Sequence, residues 1–91
     1  MTVRLACPSD AEAIARLESL CFSDARGRDA VNEQLALPYA LTLVAIEDEH
    51  AVGYLTGIVL APECEIHRVA TDPAYRRRGI GAALVAEARS Q

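Results

Sequence analysis

Between Val69 and Ala88 the chain passes from a β-branched segment through Asp72-Pro73 into Arg76-Arg77-Arg78-Gly79-Ile80-Gly81, then into an Ala- and Leu-rich stretch. This order constrains the fold more than any other feature. A strand that feeds a helix through a short, basic, glycine-bearing loop sets the first turn of that helix beside the end of the strand. The first N–H groups of a helix have no partner within it, and the helix dipole makes that end electropositive. Gly79 and Gly81 remove Cβ atoms where a ligand would need to approach the backbone. The three arginines can grip phosphate oxygens through paired N–H donors. The segment therefore reads as a phosphate-binding turn. Without the glycines, the arginines would read as an ordinary solvated cluster.

Upstream, Thr2 to Ala6 is a short β-branched run, and Pro8-Ser9-Asp10 interrupts it. Ser9 or Asp10 can cap a helix through a side-chain oxygen. Ile14, Leu17, Leu20 and Cys21 recur at helical spacing, with Glu12, Arg16 and Glu18 outside the stripe, which predicts an amphipathic helix over 10–21. Phe22 to Gly27 reads as a loop. Val31, Leu35 and Leu37 predict a shorter helix that ends before Pro38. Residues 40–46 and 51–60 predict two strands around the polar turn Glu47-Asp48-Glu49-His50, with Gly53 and Gly57 as bulges or close-approach sites. Glu65 to Thr71 predicts another strand, and strand alternation would put Glu65, His67, Val69 and Thr71 on one face. Residues 79–88 predict the last helix. The order is β-α-α-β-β-β-α, an α/β fold with a mostly antiparallel sheet.

Composition excludes several classes. The 91 residues suit one small domain, and 52% hydrophobic with 24% charged residues is a globular balance. The net charge of -4, with all nine basic residues arginine, argues against a nucleic-acid binder. A small nucleic-acid binder using the Arg cluster would show strongly salt-dependent affinity. Cys7, Cys21 and Cys64 form no disulfide framework or zinc spacing, which suggests a reducing cytoplasm. His50 and His67 lack a second ligand at metal spacing, so no metal is expected. No signal-peptide core or membrane-length apolar run is present.

Two familiar phosphate motifs do not fit. A Rossmann fingerprint would want glycine at position 84, which is Leu84, and a P-loop needs a lysine the chain lacks. Arg76-x-x-Gly79-x-Gly81 after a strand and an Asp-Pro turn instead resembles the Q/R-x-x-G-x-G/A motif of the GNAT N-acetyltransferases. The run Val69-Ala70-Thr71-Asp72-Pro73-Ala74-Tyr75 resembles the branch that acetylates the α-amine of ribosomal proteins. Leu20-Cys21-Phe22 and the hairpin from Leu43 to Val59 occur in that family's order.

The resemblance implies the GNAT (acyl-CoA N-acyltransferase) fold and an acetyl-CoA cosubstrate. It implies acetyl transfer to a primary amine, with a protein N-terminus as the favoured acceptor. The backbones of Val69, Ala70 and Thr71 would hold the pantetheine arm, with the amide of Ala70 or Thr71 as oxyanion donor. Arg76, with the amides of Arg77, Arg78, Gly79, Ile80, Gly81 and Ala82, would hold the pyrophosphate. Glu65 is the candidate general base. Asp24 and Glu18 could recognise an amine near the Phe22 loop, although a solvated loop is the simpler reading. Cys7 and Cys21 read as packing residues, and Tyr75 as packing in the turn.

Family domains continue beyond the pyrophosphate helix with further strands. The expectation is a single domain over 1–91, incomplete at its C-terminal side, with Glu65–Thr71 as an open edge. Such an edge invites pairing, so a homo-oligomer or a complementing chain is expected. The alternative function is a non-catalytic module that binds acetyl-CoA or docks a partner.

Overall fold

The computed structural model describes residues 1–90. Strands β1 (Thr2–Leu5), β2 (Ala40–Glu47), β3 (His50–Leu60) and β4 (Glu63–Thr71) pair antiparallel in the spatial order β1-β2-β3-β4. Helices α1 (Ala11–Cys21) and α2 (Arg28–Ala36) pack on one face of the sheet, and α3 (Ile80–Ser90) packs on the other. The element order is the one expected from the sequence.

The central strands are apolar throughout because helices cover both of their faces. Side-chain alternation sorts the core into two halves. Ile14, Leu17, Val31, Val44, Tyr54 and Ala70 meet on the α1–α2 side. Leu43, Val52, Leu55, Ile80 and Leu84 meet on the α3 side.

Three local expectations are corrected. The first concerns α1, where Leu20 is 47% exposed while Glu18 is 0% exposed. At 3.6 residues per turn Glu18 lies about 40° around the helix from Ile14, whereas Leu20 lies about 120° away. Glu18 thus belongs to the buried arc and Leu20 falls outside it.

The second concerns Asp10, which makes no side-chain cap on α1. Its carboxylate turns back to the Cys7 amide at 2.8 Å and to the Arg4 guanidinium at 2.8 and 3.1 Å. The hydrogen bond from Arg4, helped by the Cys7 amide, lowers its pKa from 3.8 to about 2 against the opposing effect of burial. Neighbouring Cys7 is exposed rather than packed.

The third concerns β4. Thr56 pairs with Arg68, but Gly57 pairs with Ile66, so His67 is an extra residue. A bulge of this kind interrupts side-chain alternation. Ile66 and Val69 both pack toward α3, while Arg68 reaches α1 and Glu65 bonds to His67. Glu65 and His67 therefore stand on the α1 side, opposite Val69 and Thr71, and the four do not share a face. Gly57 makes the bulge possible, since a Cβ there would collide with the Glu65 carbonyl. Gly53 has the other expected role, close approach to Ile80 and Leu84 of α3.

No helix among the described residues is long and apolar enough to cross a membrane.

Candidate functional site

The phosphate-turn segment begins where β4 ends. The Asp72 amide donates to the Val52 carbonyl at 2.8 Å and so stays paired to β3. Bonded pairs alternate along an antiparallel ladder, so Ala70 also turns its amide toward β3. Val69 and Thr71 turn theirs to the free side, because β4 is an edge of the sheet among the described residues. Of the two oxyanion donors expected from the sequence, Thr71 is therefore open and Ala70 is not. The Thr71 carbonyl accepts the Cys21 thiol at 3.3 Å, which ties the end of β4 to the end of α1.

The Asp72 side chain accepts the Ala74 amide at 2.9 Å, and its carbonyl accepts the Tyr75 amide at 2.8 Å. These bonds close a single 3-10 turn over Pro73–Tyr75. Arg16 braces the same corner, reaching Asp72 at 3.4 Å and the Ala51 carbonyl at 2.9 Å. The chain then turns through left-handed backbone at Arg77 (φ 69°) and Gly79 (φ 74°) into α3. The first α-helical bond in this region runs from the Ala83 amide to the Gly79 carbonyl at 3.0 Å. The amides of Ile80, Gly81 and Ala82 precede it and remain open.

The glycines test whether this turn is shaped for a ligand. Gly79 is required by its positive φ. Gly81 has neither a positive φ nor a crowded Cβ position. A Cβ there would meet Val69 and Thr71 at 3.9 and 4.0 Å, ordinary contact distances. Glycine inside a helix costs about 1 kcal/mol relative to alanine. The neighbours therefore leave room for a side chain at Gly81, where the chain carries none.

The arginines divide by their contacts. Arg78 lies 5.1 Å from the Tyr75 ring centroid and 3.7 Å from Glu47. Arg76 points a nitrogen at the Cys21 sulfur, 4.0 Å away. Arg77 has no side-chain partner among the described residues. All three are exposed. Tyr75 packs against the α3-side core, as expected.

On the α1 side of the bulge, Glu65 is 67% exposed and accepts from His67 at 3.0 Å. Beside them Glu18 and Asp24, the candidate amine-recognising residues, are both taken by Arg68, which the sequence did not single out, and Glu18 is buried out of an acceptor's reach. Arg68 donates to Glu18 at 2.9 Å and to Asp24 at 2.9 Å, and its guanidinium sits 4.5 Å from the Phe22 ring centroid. Glu18 also accepts the Arg26 amide at 2.9 Å, and its second oxygen is buried without a protein partner. The helical phase of Glu18 with Ile14 is the signal that could have revealed it. No group of three metal-ligating side chains occurs among the described residues.

Known proteins share the family and the fold. Residues 11–91 match the model of the acetyltransferase (GNAT) family. An uncharacterised protein of Mycobacterium leprae is 36% identical over 86 residues, which is 88% of this chain and 24% of that protein. The chain thus spans about a quarter of that relative's length. The ribosomal-protein-S18-alanine N-acetyltransferase of Escherichia coli superposes with a TM-score of 0.86 at 18% identity, over 96% of this chain and 56% of that one. The ribosomal-protein-alanine N-acetyltransferase of Brucella melitensis superposes at 0.81 with 25% identity, over 99% and 75%. PaiA N-acetyltransferase of Thermoplasma acidophilum, solved in complex with coenzyme A, superposes at 0.75 with 18% identity, over 98% and 69%. With the family model matched over most of its length and the fold shared, the chain belongs to the acetyltransferase (GNAT) family.

Proposed function

We propose that the chain binds acetyl-CoA along the free edge of β4 and the N-terminus of α3, for acetyl transfer to a primary amine. The observation that carries this is Gly81, bare of Cβ at the open end of α3 beside Val69 and Thr71 although the fold would admit a side chain. When bound, acetyl-CoA supplies an activated acetyl thioester. The Val69 and Thr71 backbones offer an added-strand edge to an extended amide-bearing arm. The amides of Ile80, Gly81 and Ala82 offer convergent donors, and Arg76 and Arg77 offer charge, to the pyrophosphate. The Thr71 amide is the oxyanion donor in this reading.

The attacking amine must be neutral. Glu65, exposed and paired to His67 on the α1 side, is the candidate base. A protein N-terminal α-amine is the favoured acceptor, on the motif resemblance and the two ribosomal-protein acetyltransferases among the similar folds. An aminoglycoside 6'-N-acetyltransferase of Acinetobacter haemolyticus superposes at a TM-score of 0.82, between those two, so fold does not choose the acceptor. We assign a complementing strand, from a second copy or a complementing chain, to the β4 edge before the bulge, which leaves Val69 and Thr71 to the arm.

Calorimetric titration with acetyl-CoA, with Gly81→Glu as the control, tests the reading. Saturable binding lost in Gly81→Glu is the expected result; equal affinity in both would overturn the phosphate-turn assignment. Acetyl transfer to a peptide panel separates an enzyme from a module that binds without chemistry.

A further inference from the structure

Arg68 and Glu18 are expensive residues to place where they are. Glu18 is 0% exposed, and the Arg68 side chain is 17% exposed. A buried carboxylate demands a paired cation and satisfied lone pairs. Arg68 and the Arg26 amide both serve one oxygen, and the other has no protein partner. An apolar pair would fill this space at lower cost, so packing alone does not account for the charges. The pair connects three parts of the chain: the last turn of α1 through Glu18, the β4 bulge through Arg68, and the Phe22–Gly27 loop. The loop is held three ways, by the Phe22 ring under Arg68, by Asp24 on Arg68, and by the Arg26 amide on Glu18. Arg68 faces the α1 side in register with Ala70, and the bulge brings Glu65 and His67 to that side as well.

We propose that Arg68, seated on Glu18, is a positioning residue for the acceptor, holding the Phe22–Gly27 loop against the β4 bulge. The acceptor amine then approaches along a surface shaped by this loop, while acetyl-CoA is gripped on the other side of the strand. This rests on the acetyl-transfer reading above. The charges supply direction: a planar guanidinium that bonds two carboxylates and stacks on a ring fixes the loop in one place. Lysine could keep the Glu18 pairing but not the stacking and the second bond together.

The test uses the full chain with Arg68→Lys, and with Arg68→Gln and Glu18→Gln combined so that no buried charge is left unpaired. The acceptors are short peptides with free α-amines, a lysine-bearing peptide and an aminoglycoside. Acceptor KM, or acceptor Kd if turnover is absent, should rise about tenfold in the double variant, with kcat and acetyl-CoA affinity changed less than about twofold. Arg68→Lys should recover part of that loss. Hydrogen exchange of amides 23–27 should accelerate in the double variant, while β3 stays protected.

An unchanged acceptor constant in folded Arg68→Lys and in the double variant would overturn the proposal. So would an equal loss of acetyl-CoA affinity, which would mark a structural role. If the double variant does not fold by circular dichroism, Arg68→Lys alone decides. An unsubstituted chain that binds acetyl-CoA but no amine overturns this inference and leaves the phosphate turn standing. One that binds no acetyl-CoA overturns the proposed function first.

Discussion

At the scale of single residues, three side-chain positions carry consequences that can be measured. Asp10 has its pKa lowered from 3.8 to about 2 by Arg4 and the Cys7 amide. A group depressed in the folded state stabilises at pH above its unfolded value, and that contribution is lost as pH falls from about 4 through about 2. Asp10→Asn should therefore cost about 1–2 kcal/mol at pH 7 and little at pH 2, read by urea unfolding at both values. Gly81 and Gly57 form a contrast. Gly81→Ala should raise stability by up to about 1 kcal/mol, because alanine is the better helix former, yet weaken acetyl-CoA binding. Gly57→Ala should destabilise by about 3 kcal/mol, because its Cβ meets the Glu65 carbonyl across the bulge. Thermal melts and calorimetry on the two variants check both signs. The amino-acid string marks both positions as glycine and does not distinguish them; the neighbours do.

Among the elements, α1 and β4 separate what period alone reveals from what it hides. The spacing of Ile14 and Leu17 correctly orients α1, and both are buried. It also admits Leu20 while excluding Glu18, because a hydropathy pattern equates apolar with buried. Leu17→Ala should cost about 2–5 kcal/mol and Leu20→Ala less than about 0.5 kcal/mol, measured by denaturant midpoint. In β4 the polar–apolar alternation from Glu63 to Ile66 breaks at the adjacent polar residues His67 and Arg68, where the inserted residue lies. The edge makes its own prediction. Amides of Val69 and Thr71 should exchange faster than that of Ala70 in the free chain, and slow on addition of acetyl-CoA. Amide exchange followed by NMR checks this, and a fast Ala70 amide would contradict the ladder parity.

For the whole molecule, the sheet acts as a partition. One face carries α3; the other carries α1, α2 and the Glu18–Arg68 network, and the arginine-rich turn at the end of β4 touches both. The edge strand β4 is shared by both, so the two substrates of the proposed reaction can approach one strand from opposite sides. Ligand linkage gives a global readout: acetyl-CoA at a hundred times its Kd should raise Tm by about 10 °C or more for a domain of this size. Gly81→Glu should show no such rise. A monomer of uniform size in sizing chromatography, unchanged by concentration, would count against pairing at the β4 edge.

Local chemistry determined the element order and the basic, glycine-bearing turn before α3. Strand and helix periods, Asp72-Pro73, and Arg76 to Gly81 act within a few residues of one another, so their meaning survives without the fold. Tertiary structure alone decided the rest. Glu18 is buried because Arg68, fifty residues later, arrives beside it. Glu65 stands across the sheet from Thr71 because Gly57 of the neighbouring strand leaves room for an extra residue. Thr71 rather than Ala70 has the open amide because Asp72 bonds to Val52. Each of these outcomes depends on a partner far away in sequence, so the local pattern can hint at it, as the helical phase of Glu18 does, but cannot fix it.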